Sequence, residues 1–235
     1  MINLAGCDWG GMVRSLDAHG NAVLPGLLTA AQCDHLAARY PLEEGHRARI
    51  VMARHGFGRG EYKYFAYPLP PLVEQLRHAL YPWLAPVANR WSRQLGSGVQ
   101  FPDDLATFLR RCHQAGQTRP TPLILRYGEG DYNCLHQDLY GDHVFPLQVA
   151  ILLSEPESDF TGGEFVMTEI SAHGQRVDVV ALRKGDAVVF TVNQRPAPSQ
   201  GAGRRGPRKV AMRHGVSRIR SGQRHTLGLI FHDAR

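Results

Sequence analysis

The sequence has 235 residues, of which 43% are apolar and 20% are charged, with 25 glycines and 15 prolines. This composition is typical of a globular protein and excludes disordered, collagen-like and coiled-coil chains. A chain of this length can bury a sizeable core without disulfides, so a single domain over 1–235 is expected.

The cysteines indicate neither a disulfide framework nor a zinc site, because none of them has the C-x-x-C spacing. We expect all four to be reduced and buried: Cys7, Cys33, Cys112 and Cys134. No apolar stretch approaches the ~18 residues of a membrane span, and the first residues lack the layout of a signal peptide. The sequence therefore predicts a soluble, cytoplasmic protein with no membrane partner.

Helical signals dominate 1–118. Thr29 and Gln32 form a capping box before apolar residues at helical spacing. A longer helical pattern farther on is expected to be interrupted at Pro82 and Pro86. We expect this part of the chain to give helical support to the catalytic core and to include a lid over the substrate.

After Gly116 the pattern changes to short β-rich runs separated by turn residues. Eight such runs with no helical pattern between them match the strand count of a double-sheet jelly roll. We therefore predict an α+β, mostly β fold, with a double-stranded β-helix as the core over 119–235. The segment 193–209 is predicted to be a mobile loop. The eight predicted strands lie near 122–127, 132–138, 145–154, 163–169, 176–182, 186–192, 209–219 and 224–232.

Positive charge is concentrated near the C-terminus. The formal net charge is +6, and nine arginines and lysines lie between Arg195 and Arg224 with no acidic residue among them. Such a run either attracts the phosphates of a nucleic acid or is only a solvated face. If it binds phosphates, Arg204, Arg205 and Arg208 are the candidates.

A second candidate surface runs from Arg49 to Tyr67, where four cations alternate with five aromatic rings. Cations between rings can hold a nucleic-acid backbone while the rings stack on bases. The alternative is an aromatic β-hairpin that covers one face of the barrel. On the first interpretation, Tyr62 and Tyr64 contact the substrate.

The strongest chemical signal is a metal site. His136 and Asp138 are two residues apart on a predicted strand, so their side chains point to the same face. His214, on the seventh predicted strand, is the best candidate for the third ligand. Two imidazoles and one carboxylate form the facial triad of non-haem Fe(II) sites, which leaves three coordination positions open.

An arginine accompanies this candidate triad. Arg224 follows His214 by ten residues, so a short turn can return it beside the metal on the adjacent strand. Its guanidinium can bind a carboxylate through two parallel hydrogen bonds. Tyr127, nine residues before the first ligand, can add a hydroxyl to that carboxylate, and Thr226 shares the face of Arg224.

Together these features resemble the Fe(II)/2-oxoglutarate-dependent dioxygenases over roughly 120–235. GGEF at 162–165 and GDAVVF at 185–190 are similar to two strand motifs of that superfamily. The resemblance implies Fe(II), 2-oxoglutarate and O2 as cofactors, and succinate and CO2 as products. It also implies that Arg224 binds the far carboxylate of 2-oxoglutarate, and that the substrate is hydroxylated or oxidatively demethylated.

The resemblance leaves two substrate classes open. The segment 214–224 is similar to prolyl hydroxylases, which favours a peptide or amino acid. Tyr127 followed by H-Q-D is similar to AlkB-type demethylases, and the whole chain resembles a bacterial family of AlkB-like oxygenases of damaged DNA, which favours alkylated DNA or RNA. Tyr140 stands where AlkB enzymes place an aspartate beside the target base, and their second arginine on the last strand is absent. The intact ligand set argues against a third class, a non-catalytic binding module.

Overall fold

The structure is a computed structural model that describes residues 4, 6–139, 141–171, 174–198 and 206–235. Within these ranges it contains four α-helices, one 3-10 helix (Met52–Arg54) and 15 strands. The helices are α1 (Trp9–His19), α2 (Ala30–Ala37), α3 (Pro71–Leu95) and α4 (Leu105–Gln114). The strands are β1 (Asn21–Leu24), β2 (His46–Val51), β3 (Gly58–Arg59), β4 (Glu61–Phe65), β5 (Leu123–Tyr127), β6 (Tyr132–His136), β7 (Leu147–Leu152), β8 (Phe160–Gly162), β9 (Phe165–Ser171), β10 (Gly174–Val180), β11 (Ala187–Thr191), β12 (Gln194–Ala197), β13 (Arg208–Val216), β14 (Ile219–Gly222) and β15 (Arg224–Leu229).

Two antiparallel sheets form the core of the molecule. The larger has the order β1-β11-β7-β15-β5-β4-β2, and the smaller has the order β10-β9-β13-β6-β3, with β12 also paired to β13. The eight predicted strands correspond to β5, β6, β7, β9, β10, β11, β13 and β15. They supply the central four strands of the larger sheet and four consecutive strands of the smaller one, so the predicted jelly-roll fold class is confirmed.

The larger sheet has two different faces, because successive side chains of a strand alternate between them. Its outer face packs against α3 and the other helices, and Ile124, Val149 and Leu227 belong to that core. Its inner face, which carries Ala150, Val188 and Phe190, packs against the smaller sheet. The helices therefore support the sheet from outside and leave the space between the sheets for a site.

The N-terminal part contributes strands as well as helices. β1 extends the larger sheet beyond β11, and β4 and β2 extend it beyond β5. β2 and β4 form the aromatic β-hairpin that was one of the two interpretations of 49–67. No helix in the described part of the chain is long and apolar enough to cross a membrane.

The interruption predicted at Pro82 and Pro86 is wrong, because α3 runs through both prolines as one helix of 25 residues. A proline inside a helix loses one hydrogen bond and crowds the preceding turn. Here the apolar side chains on the core-facing side of the helix are buried, including Leu80, Leu84 and Trp91. Tertiary packing of this face outweighs the local cost of the prolines.

Two smaller expectations also need correction. Residues 194–197, predicted to belong to a mobile loop, form β12, in which Arg195 is buried and pairs in register with Val210; residues 199–205 of that segment lie outside the described residues. Cys33 and Cys112 are buried as expected, but Cys7 is half-buried and Cys134 is exposed on β6. Cys134 lies two residues before His136, so strand alternation alone does not predict its exposure.

Candidate metal centre

Three side chains meet at the inner surface of the smaller sheet. His136 ends β6, Asp138 follows two residues later, and His214 of β13 lies opposite His136 in the strand register. One ligand atom from each residue lies within 4.8 Å of the others. The Asp138 carboxylate is 3.5 Å from Nε2 of His136 through one oxygen and 3.5 Å from Nε2 of His214 through the other.

Neighbouring groups orient both imidazoles. Nδ1 of His136 lies 2.7 Å from the carbonyl oxygen of Cys134. Because a carbonyl only accepts, Nδ1 carries the proton and the lone pair of Nε2 is free for a metal. The ring of His214 packs against Phe190 and Phe165, at centroid distances of 4.6 and 6.1 Å. These contacts place both Nε2 atoms beside Asp138.

The protonation states suit a cation. Burial alone would raise the pKa of Asp138, but its hydrogen bond to His214 and the charges of both histidines lower that pKa to about 2. Burial, and then the charge of His214, lower the pKa of His136. At neutral pH the site therefore offers a carboxylate and a neutral imidazole, which are the forms that bind metal ions.

Arg224 is buried beside the triad without an acidic partner. Its Nη1 donates a 2.6 Å hydrogen bond to the Thr226 hydroxyl, its Nε has no hydrogen-bond partner, and it forms no ion pair within the described ranges. Burial lowers its pKa to about 10. A Cβ at Gly163, whose φ is +66°, would lie 3.0 Å from Cδ of Arg224, so the second glycine of the GGEF motif gives this side chain room.

Tyr127 lies next to Arg224 in the sheet. The two residues are paired in register between β5 and β15, and the guanidinium carbon is 5.8 Å from the centre of the tyrosine ring. The Tyr127 hydroxyl is buried, faces the side chain of Asn133 and makes no well-formed hydrogen bond. Gly60 has a φ of +109°, and a Cβ there would lie 2.7 Å from the ring, so this glycine allows the ring its position.

One cavity of about 680 Å³ connects these groups. Eight of the twelve site residues predicted from the sequence line it: His136, Asp138, His214, Arg224, Tyr127, Thr226, Tyr62 and Tyr64. Tyr62 and Tyr64 are two residues apart on β4 and share one face. The aromatic hairpin thus contributes to the cavity wall.

One of the three cations predicted to bind phosphate lies in the described part of the chain, and it is absent from this cavity. Arg208 does not line it and lies 3.8 Å from the carboxylate of Glu169. Tyr140, Arg204 and Arg205 lie outside the described residues. Two cations of the aromatic stretch are also paired, since Lys63 is 2.9 Å from Glu43 and Arg49 contacts Glu61.

The polar residues of the cavity that sequence reasoning missed include Arg47, Gln148 and His232. Arg47 is fixed by the Pro120 carbonyl, to which its Nε donates at 2.7 Å, and its guanidinium lies 4.2 Å from the ring centre of Tyr64. Gln148 is buried on β7, and its side-chain nitrogen has no hydrogen-bond partner. His232 continues the alternation of Arg224 and Thr226, so strand parity could have indicated it.

The residues present fit an Fe(II) ion and 2-oxoglutarate. Two imidazoles and a carboxylate with their ligand atoms close together match the ligand preference of non-haem Fe(II). A buried cation without a carboxylate is costly, so the Arg224 guanidinium indicates that an anion binds there. The free hydroxyl of Tyr127 is a second donor for the same carboxylate.

Comparisons with known proteins agree with this geometry. The model of a family described as "Oxygenase, catalysing oxidative methylation of damaged DNA" matches residues 60–234. Uncharacterized protein Rv2227 of Mycobacterium tuberculosis strain ATCC 25618 / H37Rv is 45% identical over 213 residues, which cover 88% of this chain and 90% of the relative.

Solved structures share the fold at low identity. A prolyl-4-hydroxylase from Pseudomonas putida is 18% identical, with a TM-score of 0.52 and coverage of 97% of this chain and 99% of that chain. An oxidoreductase of the 2OG-Fe(II) oxygenase family from Burkholderia pseudomallei is 16% identical, with a TM-score of 0.53 and coverage of 97% and 93%. Both similarities support the jelly-roll architecture described above.

Proposed function

The chain belongs to this family of oxygenases, and from that premise we propose that it uses Fe(II) and 2-oxoglutarate to oxidise alkylated nucleic acid. One observation carries the proposal: the His136–Asp138–His214 triad and the unpaired Arg224 guanidinium open into the same cavity. A metal site alone would fit many proteins. The added buried cation specifies a co-substrate that carries a carboxylate.

The residues of the chain have distinct roles in this chemistry. Nε2 of His136, Nε2 of His214 and the Asp138 carboxylate would hold Fe(II), which with 2-oxoglutarate and O2 supplies the oxidation of a substrate C–H bond to an alcohol. Arg224 and the Tyr127 hydroxyl would hold the far carboxylate and thereby orient the co-substrate. The apolar cavity walls limit the access of water.

Oxidation of an N-methyl group removes that group. Hydroxylation of the methyl carbon gives a hemiaminal, whose C–N bond breaks to release formaldehyde and return the proton to nitrogen. The co-substrate leaves as succinate and CO2. Acting on a methylated base, the enzyme would therefore restore the unmodified base.

Three observations support a nucleic-acid substrate. The family description names damaged DNA. The cavity wall carries Tyr62 and Tyr64 beside the cation of Arg47, an arrangement that suits a flat base with a nearby phosphate. The chain has a formal net charge of +6, which favours an anionic partner.

The second candidate is a peptidyl or amino-acid hydroxylase. The segment 214–224, with its similarity to prolyl hydroxylases, favours it. The fold shared with the Pseudomonas putida prolyl-4-hydroxylase is compatible with it. The two candidates differ in product. Hydroxylation of a peptide or amino-acid carbon leaves a stable alcohol, so succinate is released without formaldehyde.

The test is to measure both products with matched substrates. We expect the Fe(II)-loaded protein to release formaldehyde and succinate in equal amounts with methylated oligonucleotides and no formaldehyde with unmethylated ones. Proline-rich peptides should give neither product above background. Succinate release that depends on the peptides and not on the oligonucleotides would overturn the nucleic-acid proposal and favour the second candidate.

The ligand set is tested separately. His136→Ala, Asp138→Ala and His214→Ala should each weaken Fe(II) binding sharply and abolish co-substrate turnover, because each removes one of three ligands. Circular dichroism should show an intact fold in all three variants. A variant that binds Fe(II) and releases succinate as the wild type does would exclude that residue from the ligand set.

A further inference from the structure

His232 lines the same cavity as Arg224, eight residues farther along the chain. Along the last strand and the residues after it, alternate side chains face the cavity: Arg224, Thr226, Gly228, Ile230 and His232. The extended strand from Arg224 to Leu229 moves the chain by about 17 Å before it reaches Ile230 and His232. The Arg224 end is the site of the co-substrate carboxylate, so His232 lies on the side left for the substrate.

The backbone fixes the tautomer of His232. The amide N–H of Phe145 donates a 3.2 Å hydrogen bond to Nδ1 of the ring. An amide N–H can only donate, so Nδ1 holds a lone pair and the proton of the neutral ring is on Nε2. His232 therefore presents one N–H donor on the edge that faces away from Phe145.

The ring stays neutral and its donor has no acceptor within the described residues. Burial, and then the charge of Arg77, lower the pKa of His232 to about 4, although the carboxylates of Asp138 and Asp233 act in the opposite direction. The side chain is only 3% exposed. When a substrate fills the cavity and displaces water, a donor left without an acceptor costs free energy, and this cost favours a substrate that supplies the acceptor.

We propose that His232 is a specificity-determining residue whose Nε2–H donates a hydrogen bond to a carbonyl oxygen of the methylated base. This inference rests on the proposed function, since it assumes that the cavity receives a base. A site built to donate a hydrogen bond rejects analogues that lack the acceptor, because its own buried polar group is then left unpaired. The preferred substrates are therefore methylated bases with a ring carbonyl beside the methylated nitrogen.

Two substrates test the inference in the wild-type protein. In 3-methylthymine, carbonyl groups flank the methylated nitrogen on both sides, whereas 1-methyladenine has no carbonyl. When the two bases are placed in the same oligonucleotide, 3-methylthymine should have a kcat/KM for formaldehyde release about tenfold or more above that of 1-methyladenine. Equilibrium binding without O2 should show the same order of affinity.

Two variants separate the proposed role from a structural one. In His232→Asn, a side-chain oxygen can still accept from Phe145, but no donor reaches the position of Nε2. In His232→Gln, the amide N–H can reach that position, but the acceptor for Phe145 is lost. We expect His232→Asn to lower kcat/KM for 3-methylthymine about tenfold and remove the preference, and His232→Gln to keep most of the preference.

The outcomes distinguish this inference from the proposed function. If no methylated oligonucleotide yields formaldehyde with wild-type protein, both are overturned. If the wild type demethylates both bases equally, or if His232→Asn keeps the preference while His232→Gln loses it, only the role of His232 is overturned. The ratio of the two kcat/KM values is measured in the wild-type protein alone, so it tests the inference even if a substitution impairs folding.

Discussion

Arg224 has an unusual place in the chain because its charge is buried with no counter-charge among the described residues. Within that part of the chain, its hydrogen-bond partner is the Thr226 hydroxyl, and it lies against the rings of Tyr127 and Phe160. Without a bound anion, such a group lowers the stability of the protein. A co-substrate carboxylate bound at this guanidinium, as proposed above, would offset that cost.

We predict two effects of Arg224→Met, which keeps most of the side-chain volume and removes the charge. Without 2-oxoglutarate, we expect its free energy of unfolding to equal or exceed that of the wild type. Its affinity for 2-oxoglutarate should fall about a hundredfold, equivalent to roughly 3 kcal/mol for a broken buried charge pair. Denaturant unfolding and titration of the metal-loaded protein measure the two quantities.

Arg224→Lys is the control for geometry. A lysine keeps the charge but cannot form two parallel hydrogen bonds, so it should restore part of the affinity. Equal affinity in wild type and Arg224→Met would mean that the carboxylate binds elsewhere in the cavity.

Short sequence spacing predicted the H-x-D pair, because strand alternation places its two side chains on one face. The predicted turn from His214 to Arg224 on an adjacent strand is wrong, because β13 lies in the smaller sheet, β15 lies in the larger sheet and β14 lies between them in the chain. The two residues meet across the cavity between the sheets. Gln148 and Arg47 were missed because their exposure to the cavity depends on how the two sheets face each other. The ion pair of Arg208 with Glu169 could not be predicted either, because Glu169 lies on a strand 39 residues earlier in the chain.

At the scale of elements, β12 shows that an arginine of the basic segment near the C-terminus can be buried and can stabilise the fold. Arg195 is 3% exposed, lies 2.6 Å from the Glu169 carboxylate and donates to the Asp17 carbonyl oxygen at 2.8 Å. Its side chain therefore connects β12 to β9 and to α1. This arginine stabilises the end of the smaller sheet.

Arg195→Ala should lower the free energy of unfolding by about 3 kcal/mol, because it leaves a largely buried carboxylate with weaker partners. It should leave the salt dependence of oligonucleotide binding unchanged, since a buried arginine contacts no phosphate. Arg213→Ala, on the exposed face of β13, is the matched control and should change stability by less than about 0.5 kcal/mol. Equal losses in the two variants would contradict the structural role of Arg195.

The fold was predictable to the extent that local periodicity determines it. Eight strands with alternating side chains required no knowledge of distant contacts. The continuity of α3 through Pro82 and Pro86 and the strand at Gln194–Ala197 could not be predicted in this way. Both depend on burial against elements far away in the sequence.

At the scale of the whole molecule, the larger sheet separates two environments. Its inner face carries polar side chains that line the cavity, and its outer face packs apolar side chains against the helices. His225, next to Arg224, has the opposite parity and points away from the cavity. It packs edge-on against Tyr40 at a centroid distance of 5.7 Å, near the positive charge of Arg126.

This packing predicts how stability depends on pH. Burial, and then the charge of Arg126, lower the pKa of His225 to about 4, from an ordinary value of 6.5, despite the opposing charge of Asp159. The unfolded chain therefore takes up a proton at this residue near pH 6.5, whereas the folded protein does so only near pH 4. Stability is complete above pH 6.5 and falls as the pH decreases from 6.5 to 4, by at most about 3 kcal/mol from this residue.

His225→Gln, which cannot titrate, isolates this contribution. Its free energy of unfolding should vary less steeply between pH 6.5 and pH 4, by up to about 1.4 kcal/mol per pH unit, because one proton fewer is taken up on unfolding. A loss of packing would lower stability equally at every pH, so measurement at pH 7.5 removes that effect from the comparison. Parallel stability curves for the two proteins over the whole range would show that His225 takes up its proton equally in the folded and unfolded states. The environment between Tyr40 and Arg126 would then differ from the one described here.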